Sequence, residues 1–247
     1  MTSFDIPIFI TFWLLITLSI KRPASWQQFR KKPLTDWALD ICGLAIQGIL
    51  IPILQIGLLH RGLHHVSPSV QNSLALPAWA SFLFCVVCVD YGYYWNHRWL
   101  HRFGWPLHKV HHSVTQLDVL GSSRNSAWSS FFILYIWVHT LMIYLLQDAS
   151  GYLWGISLTA MLDLWRHSQV APHPRGWLYP LLSPWLVLPQ DHAQHHSEQH
   201  SYNFGANLKI WDRIHGTAKD CSHFPKHLGM TTSLTFWQQL LFPFSSP

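Results

Sequence analysis

The chain has 247 residues, of which 49% are hydrophobic and only 11% are charged. Soluble domains carry about 25% charged residues on average, so this composition favours a membrane protein. The formal net charge is +5, but the basic residues stand singly or in short groups between apolar blocks and form no stripe, which argues against a nucleic-acid partner.

The apolar segments, taken in chain order, predict about four membrane-embedded helices. The N-terminal spans are expected at about residues 6–20 and 34–59, the second broken softly at Pro52. A third is expected at 74–95, and segments 127–147 and 152–165 form a helical hairpin. The segments 177–188 and 234–244 are too short to cross and are expected at the membrane interface. The predicted fold class is all-α, with helical hairpins capped by a histidine-rich helical domain.

The basic residues predict which side of the membrane carries that cap. With these spans, fifteen of the sixteen Lys and Arg residues lie on one side of the membrane, and only Arg61 lies on the other. The positive-inside rule therefore makes the opposite side, which holds the C-terminus, the cytoplasm, and it leaves the loop around His64 outside.

The acidic residues and histidines limit the metal chemistry. Glu198 is the only glutamate, whereas a carboxylate-bridged di-iron bundle needs several inward-facing glutamates, so that architecture is excluded. Histidine occurs 18 times. A metal would therefore be held mainly by imidazole, which suits iron, zinc, copper and nickel.

Three histidine clusters follow the predicted spans. One has the pattern H-x-x-x-H and two have the pattern H-x-x-H-H, and residues three or four apart share one helix face. Eight imidazoles on one side of a membrane are costly unless a metal satisfies them, and they are too many for one tetrahedral ion. The sequence therefore predicts two metal ions held by His97, His101, His108, His111, His112, His192, His195 and His196.

These clusters resemble those of a known family. The segment 90–101 (DYGYYWNHRWLH) resembles the first motif of the fatty acid hydroxylase/sterol desaturase superfamily, and 108–113 (HKVHHS) and 192–197 (HAQHHS) resemble its second and third motifs. The stretch 203–217, with NFG and WDRIHGT, is similar to the family's closing motif. The resemblance covers about residues 85–217, and we expect a single membrane-embedded domain over 1–247.

The resemblance implies a non-haem di-iron centre (Fe2+/Fe3+). Such a centre uses O2 and two electrons to attack an unactivated C–H bond of a membrane lipid, whether fatty acyl, sterol or related. It also implies His167 as a ninth ligand. Many bacterial members read R-F-H-P where this chain has Arg124-Asn125-Ser126-Ala127, so a histidine is lost there and an extra one, His200, follows the third motif. Two interpretations stay open: His200 is a possible compensating ligand, or both changes only reshape the pocket.

Electrons would come from a separate protein. The chain has neither a dinucleotide-binding G-x-G-x-x-G motif nor a haem-attachment motif. A reductase, a ferredoxin or a cytochrome is therefore the expected electron-transfer partner.

Four side chains near the motifs are expected to support the ligands. A metal-bound imidazole usually donates its other N–H to a carboxylate or carbonyl. The candidates are Asp90, Asp118 and Asp191, together with Asn203 of the closing motif.

Two alternatives to the oxygenase stay open. Imidazole ligands also suit a zinc-dependent lipid hydrolase, in which zinc activates water. A non-enzymatic membrane metal carrier or redox subunit is the other, although a carrier needs polar groups at the middle of the bilayer.

Overall fold

The structure of the chain, a computed structural model, describes residues 3–197 and 201–244. Across these ranges the regular secondary structure is helical, and extended pairing is limited to two isolated bridges, Leu74 with Leu146 and Leu186 with Leu208. The predicted all-α class is confirmed.

The longer helices fall on the predicted apolar segments, except Pro23–Lys31, which lies in the basic stretch between the first two. Their bounds are α1, Asp5–Ile20; α2, Pro23–Lys31; α3, Leu34–Val66; α4, 78–102; α5, Leu134–Leu145; and α6, Ser150–Arg166. A shorter helix, α7, covers Pro189–His195. Further short helices are Trp105–His108, Ser129–Phe132, Leu178–Leu182, Ile210–Ile214 and Phe236–Leu241.

Helix α3 is longer and more continuous than predicted. The expected break at Pro52 is wrong, because π-helical turns at Ile46–Leu50 and Gln55–His60 flank this residue and the helix continues. Proline lacks an N–H and crowds the preceding turn, and the wider π turns accommodate both effects. His64 therefore lies in the last turns of α3 rather than in a loop. The helix ends before Ser67. This residue precedes Pro68, and its backbone dihedral angles are not helical.

The helices differ in how well they meet the requirements for crossing a membrane. Within the described ranges, α3 alone is long and apolar enough by itself, with 33 residues and a mean hydropathy of 2.0. Helices α1 and α2 pass the same test together, with a bend of 98° between them, and α5 is a shorter apolar helix.

Close packing fixes the helices that carry the histidines. Helix α6 packs against α1 and the first turns of α4. A Cβ atom on Gly151 would lie 1.9 Å from the carbonyl oxygen of Ala78, so only glycine allows this approach. Gly43 of α3 is equally close to the turn at Ser123, where a Cβ atom would meet the carbonyl oxygen at 2.1 Å.

A buried ionic network ties the start of α3 to the segment after the second histidine motif. Lys32 and Arg124 both pair with Asp40, and Arg124 Nε lies 2.5 Å from its carboxylate. Arg124 also reaches Asp36 at 3.0 Å, and Lys32 reaches Asp118 at 2.8 Å. The side chains of Lys32, Arg124 and Asp40 are at most 1% exposed. The N-terminal helices are therefore joined to the histidine region by charge as well as by packing.

Candidate metal centre

The structure brings all nine predicted histidine ligands together in two adjacent groups. Within each group the ligand nitrogens lie within 4.8 Å of one another. The five-histidine group contains His97, His101, His108, His112 and His195, and the four-histidine group contains His111, His167, His192 and His196.

Helices α4 and α6 each deliver histidines at their C-terminal ends. His97 and His101 lie one turn apart in the last turns of α4, and both join the five-histidine group. His167 follows α6 directly and joins the four-histidine group. The possible ligand His200 lies outside the described residues.

Each H-x-x-H-H motif is divided between the two groups. In the second motif His108 and His112 turn to the five-histidine group, and His111 turns to the other. The third motif has the converse division, with His195 alone in the five-histidine group. Both motifs therefore link the two groups. The spacing had indicated only that the histidines of each motif share one helix face.

A pair of facing lone pairs shows that the five-histidine group suits a cation. Nδ1 of His97 lies 2.7 Å from the carbonyl oxygen of Phe204, and Nδ1 of His195 lies 2.6 Å from that of Tyr202. A carbonyl only accepts, so in a neutral ring each Nδ1 carries the proton and each Nε2 a lone pair. These two Nε2 atoms are 3.2 Å apart. Metal–nitrogen bonds of about 2.0–2.1 Å separate neighbouring ligand nitrogens by about 3.0–3.4 Å.

The four-histidine group repeats this arrangement. Nδ1 of His111 donates to the carbonyl oxygen of Arg124 at 3.2 Å, and Nδ1 of His167 donates to that of Asp163 at 2.9 Å. Their Nε2 atoms face each other at 3.5 Å. Two lone pairs at this distance repel unless a positive charge lies between them, so each group fits one metal ion.

Burial keeps several of the ligand imidazoles neutral, as metal binding requires. Desolvation, followed by repulsion from neighbouring imidazoles, holds the pKa values of His108, His112, His192 and His196 well below the ordinary value. The same causes lower the pKa of His111 to about 3. At neutral pH these rings offer lone pairs and carry no competing proton.

Asp90 has a different role from the predicted one. Its carboxylate accepts hydrogen bonds from the backbone N–H groups of Asn207 and Leu208, the Asn207 amide and the Trp211 indole, at 2.7–3.1 Å. These contacts anchor the closing motif to α4. Asp90 thus positions backbone rather than accepting a hydrogen bond from a ligand imidazole.

Asp118 and Asp191 also bind backbone in place of imidazole. Asp118 caps the short helix Val119–Ser123 and pairs with Lys32. Asp191 accepts from the backbone N–H of Leu188 at 3.0 Å and thereby caps α7, which carries His192 and His195. Both acids were predicted as acceptors for ligands because they adjoin the motifs, but helix starts compete for the same carboxylates.

Asn203 is a backbone connector. It adopts a positive φ of 57°, and its amide bonds to Asp191 and Lys219 carbonyls at 3.1 and 3.0 Å. Its side-chain oxygen accepts from the Lys219 N–H at 2.7 Å. It therefore fixes the chain next to Tyr202 and Phe204, whose carbonyls orient two of the imidazoles.

The acceptors that sequence reasoning missed are the four backbone carbonyls of Tyr202, Phe204, Arg124 and Asp163. Every residue has a carbonyl, so no residue type could have indicated them. Arg124 has two roles. Its buried guanidinium belongs to the ionic network with α3, and its backbone carbonyl accepts a hydrogen bond from His111.

A cavity of about 350 Å³ adjoins both histidine groups. It lies between α3, α4, α5 and α6, and His108, His111 and His167 form part of its wall. On α6 its lining extends from His167 back to Ile156, which corresponds to a depth of about 16 Å at 1.5 Å per residue. The arrangement gives a bound molecule access to the histidine groups from among the apolar helices.

Comparison with protein families identifies this arrangement. The model for the fatty acid hydroxylase family matches residues 82–217, which is more than half of the chain. The chain belongs to the fatty acid hydroxylase family. The matched range includes most of α4, all of α5, α6 and α7, and all nine histidines of the two groups.

The curated relatives are, according to their names, enzymes that oxidise lipids. Alkylglycerol monooxygenase of Danio rerio is 31% identical over 146 residues, covering 56% of this chain and 30% of that protein. Ornithine lipid hydroxylase of Rhizobium tropici is 31% identical over 173 residues, covering 65% of this chain and 49% of that protein. A fatty acid hydroxylase of Lecanicillium sp is 26% identical over 175 residues, 62% of this chain and 47% of that protein.

The matches thus span about a third to a half of these relatives' lengths. Among solved structures, none matches the chain significantly.

Proposed function

We propose that this fatty acid hydroxylase family member is an O2-dependent di-iron oxygenase that hydroxylates or desaturates a membrane lipid. The observation that carries the proposal is the convergence of nine imidazoles in two groups beside a cavity. The family and the names of the relatives support lipid oxidation as the reaction.

Each histidine group would hold one iron ion. The five-histidine group would hold the first ion and the four-histidine group the second, chiefly through Nε2 atoms. Imidazole suits iron, and the facing lone pairs in each group favour occupation by a cation. Bound iron would supply the redox chemistry by which O2 and two electrons oxidise a C–H bond to an alcohol or an alkene.

The chain's own residues would orient these ligands and exclude water. Backbone carbonyls fix the rotation of His97, His111, His167 and His195 by accepting from Nδ1. The buried position of the imidazoles limits access of solvent to the reacting carbon. The lipid would enter the cavity with that carbon next to the histidine wall.

We also propose that about four segments are embedded in the membrane and that the histidine groups lie on the cytoplasmic side. Apolar side chains are exposed on α1 and α3, for example Ile10 at 58% and Ile56 at 70%, as expected where lipid covers a helix. At 33 residues, α3 is about 50 Å long, which exceeds the hydrocarbon core of about 30 Å. Tilt or extension beyond the core would accommodate the difference.

The experiment that tests the reaction follows the oxygen isotope. Purified protein in lipid nanodiscs, with a ferredoxin and its reductase as electron donor, would be incubated with a membrane lipid extract under 18O2. We expect either one 18O atom in a lipid alcohol or an alkene product lacking two hydrogens, with O2 consumed. Incorporation of oxygen from H218O into a cleaved ester or amide, without O2 consumption, would instead identify a hydrolase.

A further inference from the structure

The cavity beside the histidine groups contains an ordered series of polar aromatic side chains. Tyr93 of α4 stacks on Tyr135 of α5 with 4.6 Å between ring centroids and 4° between ring planes. Tyr135 stacks in turn on His139 at 5.1 Å and 5°. We call Tyr93, Tyr135 and His139 the aromatic column. All three line the cavity.

The aromatic column begins next to the metal ligands. Tyr93 precedes His97 by one helical turn, and the two ring centroids are 5.7 Å apart. His139 lies one turn beyond Tyr135 on α5. Two turns of helix correspond to about 11 Å, so the column leads from the five-histidine group into the space between the apolar helices.

Three polar atoms of the aromatic column are unused by the described residues. Nδ1 of His139 bonds to the hydroxyl of Tyr152 at 2.9 Å, but its Nε2 has no hydrogen-bond partner among residues 3–197 and 201–244. The hydroxyls of Tyr93 and Tyr135 likewise have none in that part of the chain. Polar atoms facing a cavity among apolar helices are costly unless a ligand or water satisfies them.

Apolar side chains share the cavity wall with the aromatic column and with other polar residues such as Gln47, Asn125 and Thr159. Ile51, Ile133, Ile136 and Ile156 supply apolar surface in the same cavity. A purely hydrocarbon ligand would match these isoleucines and leave the column unsatisfied. A ligand with both an alkyl chain and a hydrogen-bonding group matches both surfaces.

We propose that the aromatic column is a specificity subsite for a lipid that carries a hydroxyl, ether, ester or amide group within about 11 Å of the oxidised carbon. The subsite deepens the proposed function and rests on it for the identity of the oxidised carbon. Tyr135 and His139 would hydrogen-bond this polar group while the alkyl chain contacts the isoleucines. The oxidised carbon would then lie beside the histidine wall.

Equilibrium binding without turnover tests the subsite. Full-length, metal-loaded protein in phosphatidylcholine nanodiscs would be titrated anaerobically, without an electron donor, with tritiated 1-O-hexadecylglycerol or tritiated hexadecane. Both dissociation constants are expressed as mole fractions in the bilayer. We expect the alkylglycerol to bind at least tenfold more tightly than the alkane.

Tyr135→Phe is the informative variant, because it removes one hydroxyl and keeps the ring that stacks. One lost hydrogen bond should weaken alkylglycerol binding about fivefold and leave alkane binding unchanged. Tyr91→Phe is the matched control, since Tyr91 is on α4 but its hydroxyl lies 3.2 Å from His215 Nε2, away from the cavity lining. Metal content equal to wild type in each variant verifies the fold.

Three results would overturn the subsite. The first is equal affinity of the wild type for both lipids. The second is an equal loss of affinity for both lipids in Tyr135→Phe. The third is a loss of alkylglycerol affinity in Tyr91→Phe as large as the loss in Tyr135→Phe. The first result would mean that only water satisfies the polar atoms. Retained lipid preference with neither 18O incorporation nor an alkene product would support the subsite while rejecting the proposed oxygenase, so the two failures are distinguishable.

Discussion

The buried ionic network at the start of α3 allows a prediction with a worked magnitude. Asp40 is shared by Lys32 and Arg124, so Asp40→Asn leaves two buried cations without their common carboxylate. Removing one partner of a buried pair costs about 3–5 kcal/mol. Lys32 keeps Asp118 and Arg124 keeps Asp36, so we expect a loss near the lower limit, about 3 kcal/mol.

The assay is thermal unfolding of the metal-free protein in detergent, monitored by circular dichroism. For a chain of this length, each kcal/mol shifts Tm by about 2–4 °C, so a loss of about 3 kcal/mol corresponds to about 6–12 °C. Arg213→Gln is the control, because Arg213 pairs with Asp220 at 3.6 Å with side chains 43% and 62% exposed. Exposed pairs contribute about 0–1 kcal/mol. Equal Tm values for the two variants would refute the assigned role of the network.

The same substitution should also affect the metal centre. Arg124 holds His111 through its backbone carbonyl, so displacement of Arg124 disturbs the four-histidine group before the five-histidine group. We expect metal-loaded Asp40→Asn to lose up to one ion per chain and to retain the other. Retention of both ions at wild-type affinity would show that the network acts on stability alone.

Three further predictions concern the ligands, the pH response and the topology. His167→Ala should reduce bound metal and turnover, whereas His64→Ala, far along α3, should change neither, and equal results would reject His167 as a ligand. The pKa of His111 is about 3 in the fold and about 6.5 when unfolded, so acidification from pH 7 to 5 protonates mainly the unfolded chain. The contribution of His111 to stability is therefore complete above about pH 6.5 and is lost as the pH falls toward 3. At pH 5 this loss is about 2 kcal/mol. An unchanged Tm of the metal-free protein between pH 7 and pH 5 would contradict this prediction. A cysteine at Ser69 should react with an impermeant reagent added outside, and a C-terminal reporter should behave as cytoplasmic; the reverse labelling would overturn the topology.

The spacing of the histidines predicted which residues form the metal centre but not how they divide between the two groups. The four-residue separations of His97 from His101 and of His108 from His112 predicted shared faces, and each pair does join one group. His111 joins the other group, where its ring contacts that of His167 after α6, and His195 of the helical third motif separates from His192 in the same way. That division depends on tertiary packing, which the spacing within a motif does not contain.

The supporting contacts were the least predictable part of the centre. The sequence indicated acidic side chains near the motifs, but Asp90 and Asp191 anchor backbone. Carbonyl acceptors such as that of Phe204 depend only on the path of the chain. The link from α3 to Arg124 joins residues 84 positions apart and likewise has no local signal.

The metal content of protein purified without oxygen tests the central claim most directly. Inductively coupled plasma mass spectrometry should find two iron ions per wild-type chain. His195→Ala should lose the ion of the five-histidine group, and His192→Ala that of the four-histidine group, so each variant should retain about one. A single ion in the wild type, or two zinc ions in a protein that remains active without O2, would contradict a di-iron centre divided between the two histidine groups.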